Sequence, residues 1–134
     1  KDNGYSTTAP RLLVCESLCN EEPLSTNELA QKLHGQIDRA SMYRTISLFE
    51  KLGLINRVYI GWKYKIELSD VFSHHHHHIS CLNCGKIKAI HEEDEIEKLI
   101  HSLADTYGIT ADRHQLEIQG LCQDCRNSQL APTL

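Results

Sequence analysis

Residues 39–68 read RASMYRTISLFEKLGLINRVYIGWKYKIEL, and this stretch decides the predicted fold of the first half of the chain. The spacing of its apolar residues predicts a helix from about Arg39 to Leu52. The apolar stripe of this helix consists of Met42, Ile46, Phe49 and, at its end, Leu52. Gly53 stands where a left-handed C-terminal cap belongs. Two segments rich in β-branched and aromatic residues follow, LINRVYI and KYKIEL, separated by Gly61-Trp62, and they predict a β-hairpin.

Two shorter helices are predicted before this stretch. Pro10 suits a first helical turn, and the residues after it place Leu12, Cys15 and Cys19 at helical spacing, where we expect the two cysteines in the core. Ser25 and Glu28 form a predicted capping box for the second helix, which ends at Gly35. Three helices and a hairpin in this order are typical of a winged helix-turn-helix, with the third helix as recognition helix and the hairpin as wing. Three amphipathic helices would also suit an ordinary bundle.

The second half predicts a small α/β unit, so the predicted fold class is α+β. HHHHHISC and GKIKAI are strand-like segments on either side of a tight Cys-Leu-Asn-Cys-Gly turn, and HQLEIQGLC alternates as a half-buried strand does. DEIEKLIHSLADTYG predicts a helix that ends at Gly108. Its expected inward residues are Ile96, Leu99, Ile100 and Leu103. Because such a unit has little core of its own, we expect a metal or an oligomer to stabilise it.

Charge separates the same two halves. Residues 1–68 hold nine Lys or Arg and eight Asp or Glu, whereas residues 69–134 hold five and ten, together with eight of the nine His. The first half can therefore meet a polyanion, and the second half offers ligands for cations. We predict two modules, over 1–68 and 74–126, with a boundary at 69–73 and a flexible tail over 127–134.

The sequence also bears on the compartment. No segment approaches the ~18 apolar residues that span a bilayer, and no signal-peptide pattern opens the sequence. We therefore expect a cytoplasmic protein that is neither exported nor bound to a membrane. In that compartment, six Cys favour metal binding over disulfides.

Two Cys-x-x-Cys pairs are the strongest chemical signal. Each pair, Cys81 with Cys84 and Cys122 with Cys125, places two thiolates on one side of a tight turn. Together they predict a tetrahedral four-sulfur site for zinc, with rubredoxin-like iron as the lesser option. Four thiolates leave no open position, so this site is structural rather than catalytic. The alternative is two disulfides or unrelated buried thiols.

The run from His74 to His78 leads directly into Cys81. On an extended strand, alternate side chains share a face, so His76 and His78 would face one way and His75 and His77 the other. One strand can thus serve two metal sites. His114 and the acidic residues from Glu92 to Glu97 supply further ligands, although such an acidic run is also typical of a solvated helix start. A solvated polyhistidine loop is the alternative for the run itself.

The third predicted helix carries side chains that suit nucleic acid. Its first two turns present Arg39, Ser41, Tyr43, Arg44 and Thr45. Arginine binds phosphates or guanine edges, and Tyr and Thr contact sugar, phosphate or a thymine methyl group. An amphipathic helix with an ordinary polar surface would show a similar pattern.

Together these segments resemble the ferric uptake regulator (Fur) family, from about Gly4 to Cys125. The resemblance is carried by Pro10-Arg11, Met42-Tyr43-Arg44-Thr45-Ile46, Gly53-Leu54-Ile55, the His run before Cys81-Leu-Asn-Cys-Gly, and the segment from His114 to Cys125. It implies a metal-dependent repressor of metal-homeostasis genes in a bacterial cytoplasm. The implied domains are a winged-helix DNA-binding domain over 1–68, a hinge at 69–73 and a metal-binding α/β dimerisation domain over 74–126. The implied partners are double-stranded operator DNA and a second copy of the chain.

The resemblance also implies roles for individual residues. Tyr43 and Arg44 become recognition-helix contacts, and Arg11 a phosphate contact. The cysteine quartet becomes the structural zinc site. An additional site falls on His75, His77, Glu97 and His114, with Glu95 as the alternative acid. The sensory site would use His76, His78 and Glu67.

The sequence departs from the family pattern in the sensory region. Glu22-Pro23 stands where many members place a His, which makes Glu22 a candidate replacement, and Ala89 stands where many place an acid. The His run is typical of zinc sensors, whereas Glu67 is typical of iron sensors. The predicted regulatory ion is therefore Fe²⁺ or Zn²⁺, with Mn²⁺ also compatible.

Other functions compete with this one. A peroxide-responsive regulator of the same family is the first alternative, and a metal-storage or chaperone protein is the second. A zinc hydrolase or deaminase would need an open metal site with a general base, and the H-x-E…P-C-x-x-C signature is absent. We therefore predict that the protein is not an enzyme.

Overall fold

The computed structural model describes residues 4–19, 22–91 and 94–130. The chain divides into two compact units, unit 1 over residues 1–74 and unit 2 over residues 75–134. No helix among the described residues is both long enough and apolar enough to cross a membrane.

Unit 1 is a winged helix-turn-helix. Its elements in chain order are α1 (Ala9–Leu18), α2 (Thr26–Lys32), α3 (Arg39–Lys51), β1 (Ile55–Ile60) and β2 (Lys63–Leu68). The two strands form an antiparallel hairpin in which Tyr59 pairs with Tyr64, and Leu24 adds a short bridge to Ile66. The predicted helices and hairpin are therefore confirmed.

Local sequence explains where these helices begin and end. The Ser25 hydroxyl oxygen accepts from the Glu28 amide at 3.1 Å while the Glu28 carboxylate accepts from the Ser25 amide, so the predicted capping box is present. Asp38 caps α3 by accepting from the Ser41 amide at 2.9 Å. Gly53, with φ of +68°, allows the left-handed turn that ends α3.

The core of unit 1 lies between the helices and the hairpin. It contains Val14, Leu18, Leu29, Leu33, Met42, Ile46, Phe49, Ile55, Ile66 and Leu68. Burial of one such side chain contributes about 1.5–3 kcal/mol. The core stripe of α3 is the predicted one, but α1 is rotated from its predicted face: Leu12 and Cys19 are exposed, and Cys15 is half-buried. Val14 and Leu18, four residues apart, form the face that α1 presents to the core.

Unit 2 is a small α/β unit. It contains β3 (His76–Cys81), β4 (Ile87–His91), α4 (Asp94–Thr106), β5 (Glu117–Gly120) and α5 (Gln123–Leu130). The sheet order is β4-β3-β5, with β4 antiparallel and β5 parallel to the central strand. The overall fold class is therefore α+β, as predicted.

Three details of unit 2 differ from the prediction. Leu99 and Leu103 of α4 are 60% and 52% exposed, so the described residues of a single chain leave that face of the helix largely uncovered. The strand β5 is only four residues long, and Ile118 on it is exposed. Residues 127–130 continue α5 instead of starting a loose tail, because the helix that begins at Gln123 extends to Leu130; residues 131–134 lie outside the described ranges.

Candidate metal centres and nucleic-acid interface

The four cysteines of unit 2 converge. Cys81 ends β3, Cys84 closes the following turn, and Cys122 and Cys125 lie at the start of α5. Their four sulfur atoms all lie within 4.8 Å of one another. Gly85, with φ of +73°, allows the sharp turn after Cys84 and donates its amide to the Cys81 carbonyl at 3.0 Å. The two Cys-x-x-Cys turns thus bring their sulfur atoms together at one place in unit 2.

The sulfur spacing suits a metal ion and not a disulfide. The Cys84 and Cys122 sulfurs are 3.9 Å apart, and all six cysteines of the chain, each in a described range, are free. A disulfide needs about 2.05 Å between sulfurs. Tetrahedral Zn–S bonds of about 2.3 Å place sulfurs roughly 3.8 Å apart. The donor set therefore fits a closed four-thiolate zinc site.

Hydrogen bonds already favour a thiolate in this cluster. The amides of Cys122 and Cys84 donate to Cys81 and lower the pKa of that thiol to about 6. The Asn83 side chain donates to the Cys125 sulfur at 3.2 Å, and this hydrogen bond lowers the pKa of the Cys125 thiol. The neighbouring thiols and burial have the larger, opposite effect, so that pKa is raised to about 11. Asn83 was missed as a supporting residue; its place inside the Cys-x-x-Cys turn is the signal that could have identified it.

A second cluster forms on one side of the start of β3. His75 and His77 lie close to Glu97, which belongs to the first turn of α4, and to His114, which lies before β5. The donor atoms of these four residues all lie within 4.8 Å of one another. The Nε2 atom of His77 lies 2.8 Å from Oε1 of Glu97, and that of His114 lies 3.2 Å from the same carboxylate. Of the two acids that the sequence left open, Glu97 is the one whose carboxylate meets the imidazoles.

The electrostatics of this cluster fit a cation. Burial raises the pKa of Glu97, but hydrogen bonds from His77 and His114 lower it by more, so the pKa of Glu97 lies below its ordinary value. The Nε2 atoms of His75 and His114 are only 2.9 Å apart, so their lone pairs need a proton or a metal ion between them. His77 is 1% exposed, and its Nδ1 has no hydrogen-bond partner among the described residues. Three imidazoles and one carboxylate are ligands that Zn²⁺ and Fe²⁺ accept.

The other face of β3 carries His76 and His78. Their ring centroids are 4.8 Å apart, as are those of His75 and His77 on the opposite face. The rings therefore pair at alternate positions, which is the arrangement that strand alternation predicts. Glu67, the remaining predicted sensory residue, lies in β2 of unit 1 and is half-buried.

The exposed side of α3 carries most of the residues predicted to contact nucleic acid. Tyr43 and Arg44 are exposed on its second turn. The Arg44 guanidinium donates to the Ser41 hydroxyl at 3.0 Å, and that hydroxyl donates to Asp38 at 2.6 Å. Hydrogen bonds from Ser41 lower the pKa of Asp38. This chain of contacts holds the Arg44 side chain along the outer surface of the helix.

Two of the predicted contacts have a different setting. Thr45 is buried, and its hydroxyl donates to the Ser41 carbonyl at 2.9 Å, so its side chain does not reach the exposed surface. It follows Arg44 but turns inward, because it lies three residues after Met42 on the core side of α3. Arg11 lies on α1, donates to the Ser6 carbonyl and stacks over Tyr5 at 5.7 Å.

The tip of the hairpin adds two exposed side chains that are not among the residues predicted to contact nucleic acid. Trp62 is 88% exposed, and the Lys63 ammonium lies 5.1 Å above its ring. An exposed aromatic ring beside a cation is a surface on which nucleic acid can stack. The signal in the sequence is a Trp within a turn that otherwise favours polar residues.

A winged helix joined to a unit with two clusters of metal ligands is the architecture of a metal-responsive transcription regulator. The profile of the Ferric uptake regulator family matches residues 2–119. The Ferric uptake regulation protein of Vibrio anguillarum is 35% identical over 130 residues, which cover 92% of this chain and 85% of that protein. The chain therefore belongs to the ferric uptake regulator family, whose members are transcription regulators and not enzymes.

Solved structures agree with this assignment. The ferric uptake regulator of Francisella tularensis with iron has a TM-score of 0.76 and 27% identity, and the match covers 94% of this chain and 98% of that one. The Helicobacter pylori ferric uptake regulator, whose structure reveals three functional metal binding sites, has a TM-score of 0.78 and 25% identity. That match covers 93% of this chain and 85% of the other. The resemblance read from the sequence motifs is thus confirmed.

Proposed function

We propose that this metal-responsive regulator is a homodimeric, DNA-binding repressor of metal-homeostasis genes in a bacterial cytoplasm. The observation that carries the proposal is the position of the ligands along the chain. Unit 2 begins at His75, and the clustered histidines begin at the same residue, directly after the predicted hinge at 69–73. Ion occupancy at this point acts on the connection between the DNA-binding unit and the rest of the chain.

In this proposal, His76 and His78 of unit 2 share an ion with Glu67 of unit 1. A bound divalent ion supplies a cross-link that neither unit has alone. Glu67 lies at the end of the wing, so its engagement restrains the orientation of α3 relative to unit 2. Regulation requires that the ion and the operator both favour the same restrained form, because linkage makes each strengthen the binding of the other.

The DNA-facing residues in the proposal are Arg11, Ser41, Tyr43 and Arg44, with Trp62 and Lys63 at the wing tip. Arg44 and Tyr43 project from an exposed helix face of the kind that enters a major groove. Ser41 positions Arg44 through their hydrogen bond. Thr45, because it is buried, supports the helix from inside.

A homodimer is supported by the uncovered apolar face of α4. Leu99 and Leu103 of α4 and Tyr107 directly after the helix are all exposed in a single chain, and they recur every four residues. A contiguous apolar face of this kind marks an interaction surface. Two copies of unit 2 also place two recognition helices on one molecule, as a palindromic operator requires.

The proposed ions follow from the donor chemistry. The four thiolates hold a structural Zn²⁺. The two histidine-rich sets hold regulatory divalent ions, with Fe²⁺ or Zn²⁺ favoured by imidazole and Mn²⁺ the weaker competitor. The three ligand sets equal in number the functional metal sites named for the Helicobacter pylori protein.

Fluorescence anisotropy of labelled operator DNA tests the proposal. Purified protein is stripped of regulatory metal while the structural zinc is retained, and is titrated into DNA with Fe²⁺ (anaerobically), Zn²⁺, Mn²⁺ or a chelator. We expect at least a tenfold increase in operator affinity with one of these ions, and little change on a scrambled duplex. Equal affinity with and without every ion would contradict the proposal, and metal binding without any DNA binding would favour a storage protein.

A further test separates the peroxide-responsive alternative. The metal-loaded protein is exposed to hydrogen peroxide at micromolar concentration before the same DNA titration. If the protein senses metal and not peroxide, we expect any loss of operator affinity after peroxide treatment to be reversed when fresh ion is added. Permanent loss of affinity, with oxidation of a histidine in the peptide mass, would favour the peroxide sensor instead.

A further inference from the structure

The residue directly opposite His76 in the sheet of unit 2 is His91. The antiparallel register of β3 and β4 pairs His76 with His91 and His78 with Ala89. Opposed residues in an antiparallel pair share a face of the sheet, with Cβ atoms about 4.5–5.5 Å apart. The side chains of His76, His78 and His91 therefore lie on the same face of the sheet of unit 2.

We infer that His91 is a third imidazole ligand of the sensory site, so that unit 2 binds the regulatory ion through His76, His78 and His91 before Glu67 engages. The inference deepens the proposed function and rests on it. His91 belongs to neither the cysteine cluster nor the cluster of His75, His77, Glu97 and His114.

The packing around these histidines permits the arrangement. His78 is buried and His76 is half-buried, with their rings in edge-on contact, so these two imidazoles are held in place by the sheet. His91 is exposed at the end of β4, so its ring can turn toward His76 without displacing core side chains. A site with two fixed ligands and one that closes on the ion has an entry path from solvent.

The neighbouring position on β4 offers no ligand on this face of the sheet. Ala89, which faces His78 on the same side of β4, has no donor atom. His91 lies two residues further along the same strand, so it faces the same way and supplies the donor that Ala89 lacks. Three neutral imidazoles favour Zn²⁺ or Fe²⁺ over Mn²⁺, which prefers oxygen ligands.

This arrangement separates ion binding from signalling. If unit 2 holds the ion through three histidines, Glu67 of unit 1 completes the ligand set and transmits occupancy to the DNA-binding unit. Loss of an imidazole then weakens ion binding itself. Loss of the Glu67 carboxylate instead leaves the ion bound and uncouples it from DNA.

Cobalt binding by the full-length dimer tests the inference. All proteins carry Glu97→Gln and His114→Ala, so that the second histidine cluster keeps only two imidazoles and does not take up the probe, and all retain zinc at the cysteine site. Co²⁺ affinity is read from the visible absorption of the bound ion, without DNA. We expect His91→Ala, and equally His91→Gln, to weaken Co²⁺ binding by at least tenfold. His34→Ala, which removes an exposed histidine of unit 1, is the matched control and should change the affinity less than twofold.

The Glu67→Gln variant tests the order of engagement. We expect its Co²⁺ affinity to fall less than about threefold, while the Co²⁺-dependent increase in operator affinity is lost. Unchanged Co²⁺ affinity in both His91 variants would overturn the inference, as would a Glu67→Gln protein that no longer binds Co²⁺. Failure of the repressor proposal would give a different result: the operator affinity of the parent protein would be the same with and without Co²⁺.

Discussion

The Nε2 atom of His77 lies 2.8 Å from Oε1 of Glu97, and this contact joins the buried second residue of β3 to the first turn of α4. An ionised carboxylate only accepts hydrogen bonds, so in the metal-free protein this imidazole nitrogen donates a hydrogen bond to it. The hydrogen atom lies where a metal ion bound to both groups would lie. Ion binding through Nε2 therefore requires that this hydrogen leave Nε2, either for Nδ1 of the same ring or for solvent.

Glu97→Gln should remove the ion from the cluster of His75, His77, Glu97 and His114, whereas Glu95→Gln should not. Glu97 is the acid whose oxygen contacts the imidazoles, and Glu95, two residues earlier on α4, is the matched control. We expect the Glu97 variant to bind one equivalent of Zn²⁺ fewer, or to bind it about 10–100-fold more weakly. Equal behaviour of the two variants would mean that the acid has no specific role.

Cys84→Ser should remove the structural zinc and disrupt the dimer. Unit 2 depends on the metal because its own core is small, and structural zinc sites contribute folding free energy directly. Zinc content by mass spectrometry and dimer content by sedimentation provide the measurements. Cys19→Ser, at an exposed cysteine of α1, should leave both unchanged. A folded Cys84→Ser dimer with full zinc content would refute the structural role.

Arg44→Ala should weaken operator binding by about 1–3 kcal/mol, as the loss of one good base or phosphate contact does. Anisotropy at matched salt measures the effect, and circular dichroism checks the fold. Arg126→Ala removes the same charge from an exposed site in unit 2 and serves as the control. If both substitutions weaken binding equally, only net charge is involved and α3 is not the recognition helix.

Leu103→Glu should convert the dimer into a monomer, because it places a charge on the apolar face of α4. Leu12→Glu alters a similarly exposed leucine on α1 and should leave the dimer intact. Sedimentation equilibrium across a range of concentrations distinguishes the two. A Leu103→Glu protein that remains dimeric would place the interface elsewhere.

Trp62 is the only tryptophan of the chain, so its emission reports on the hairpin tip alone. We expect operator DNA to quench this emission in the presence of the regulatory ion, because the exposed ring comes into contact with the nucleic acid. Trp62→Ala should reduce the operator affinity severalfold. Unaltered emission while anisotropy shows complete binding would exclude the wing tip from the interface.

Much of this protein is determined by residues close together in sequence. The capping box of Ser25 and Glu28 and the left-handed turn at Gly53 require only neighbours within a few positions. The alternation of the histidine run and the paired thiolates of each Cys-x-x-Cys turn likewise follow from local backbone geometry, because an extended strand alternates its side chains and a tight turn brings nearby residues together.

Only the tertiary structure decided which distant groups meet. The sheet order β4-β3-β5 joins the turn at Cys84 to the start of α5, and the position of α4 selects Glu97 over Glu95. Register alone places His91 opposite His76, and packing alone turns Thr45 inward and leaves Leu103 uncovered. These outcomes depend on which surfaces bury one another, and the free energy of burial belongs to the assembled chain rather than to any short segment of it.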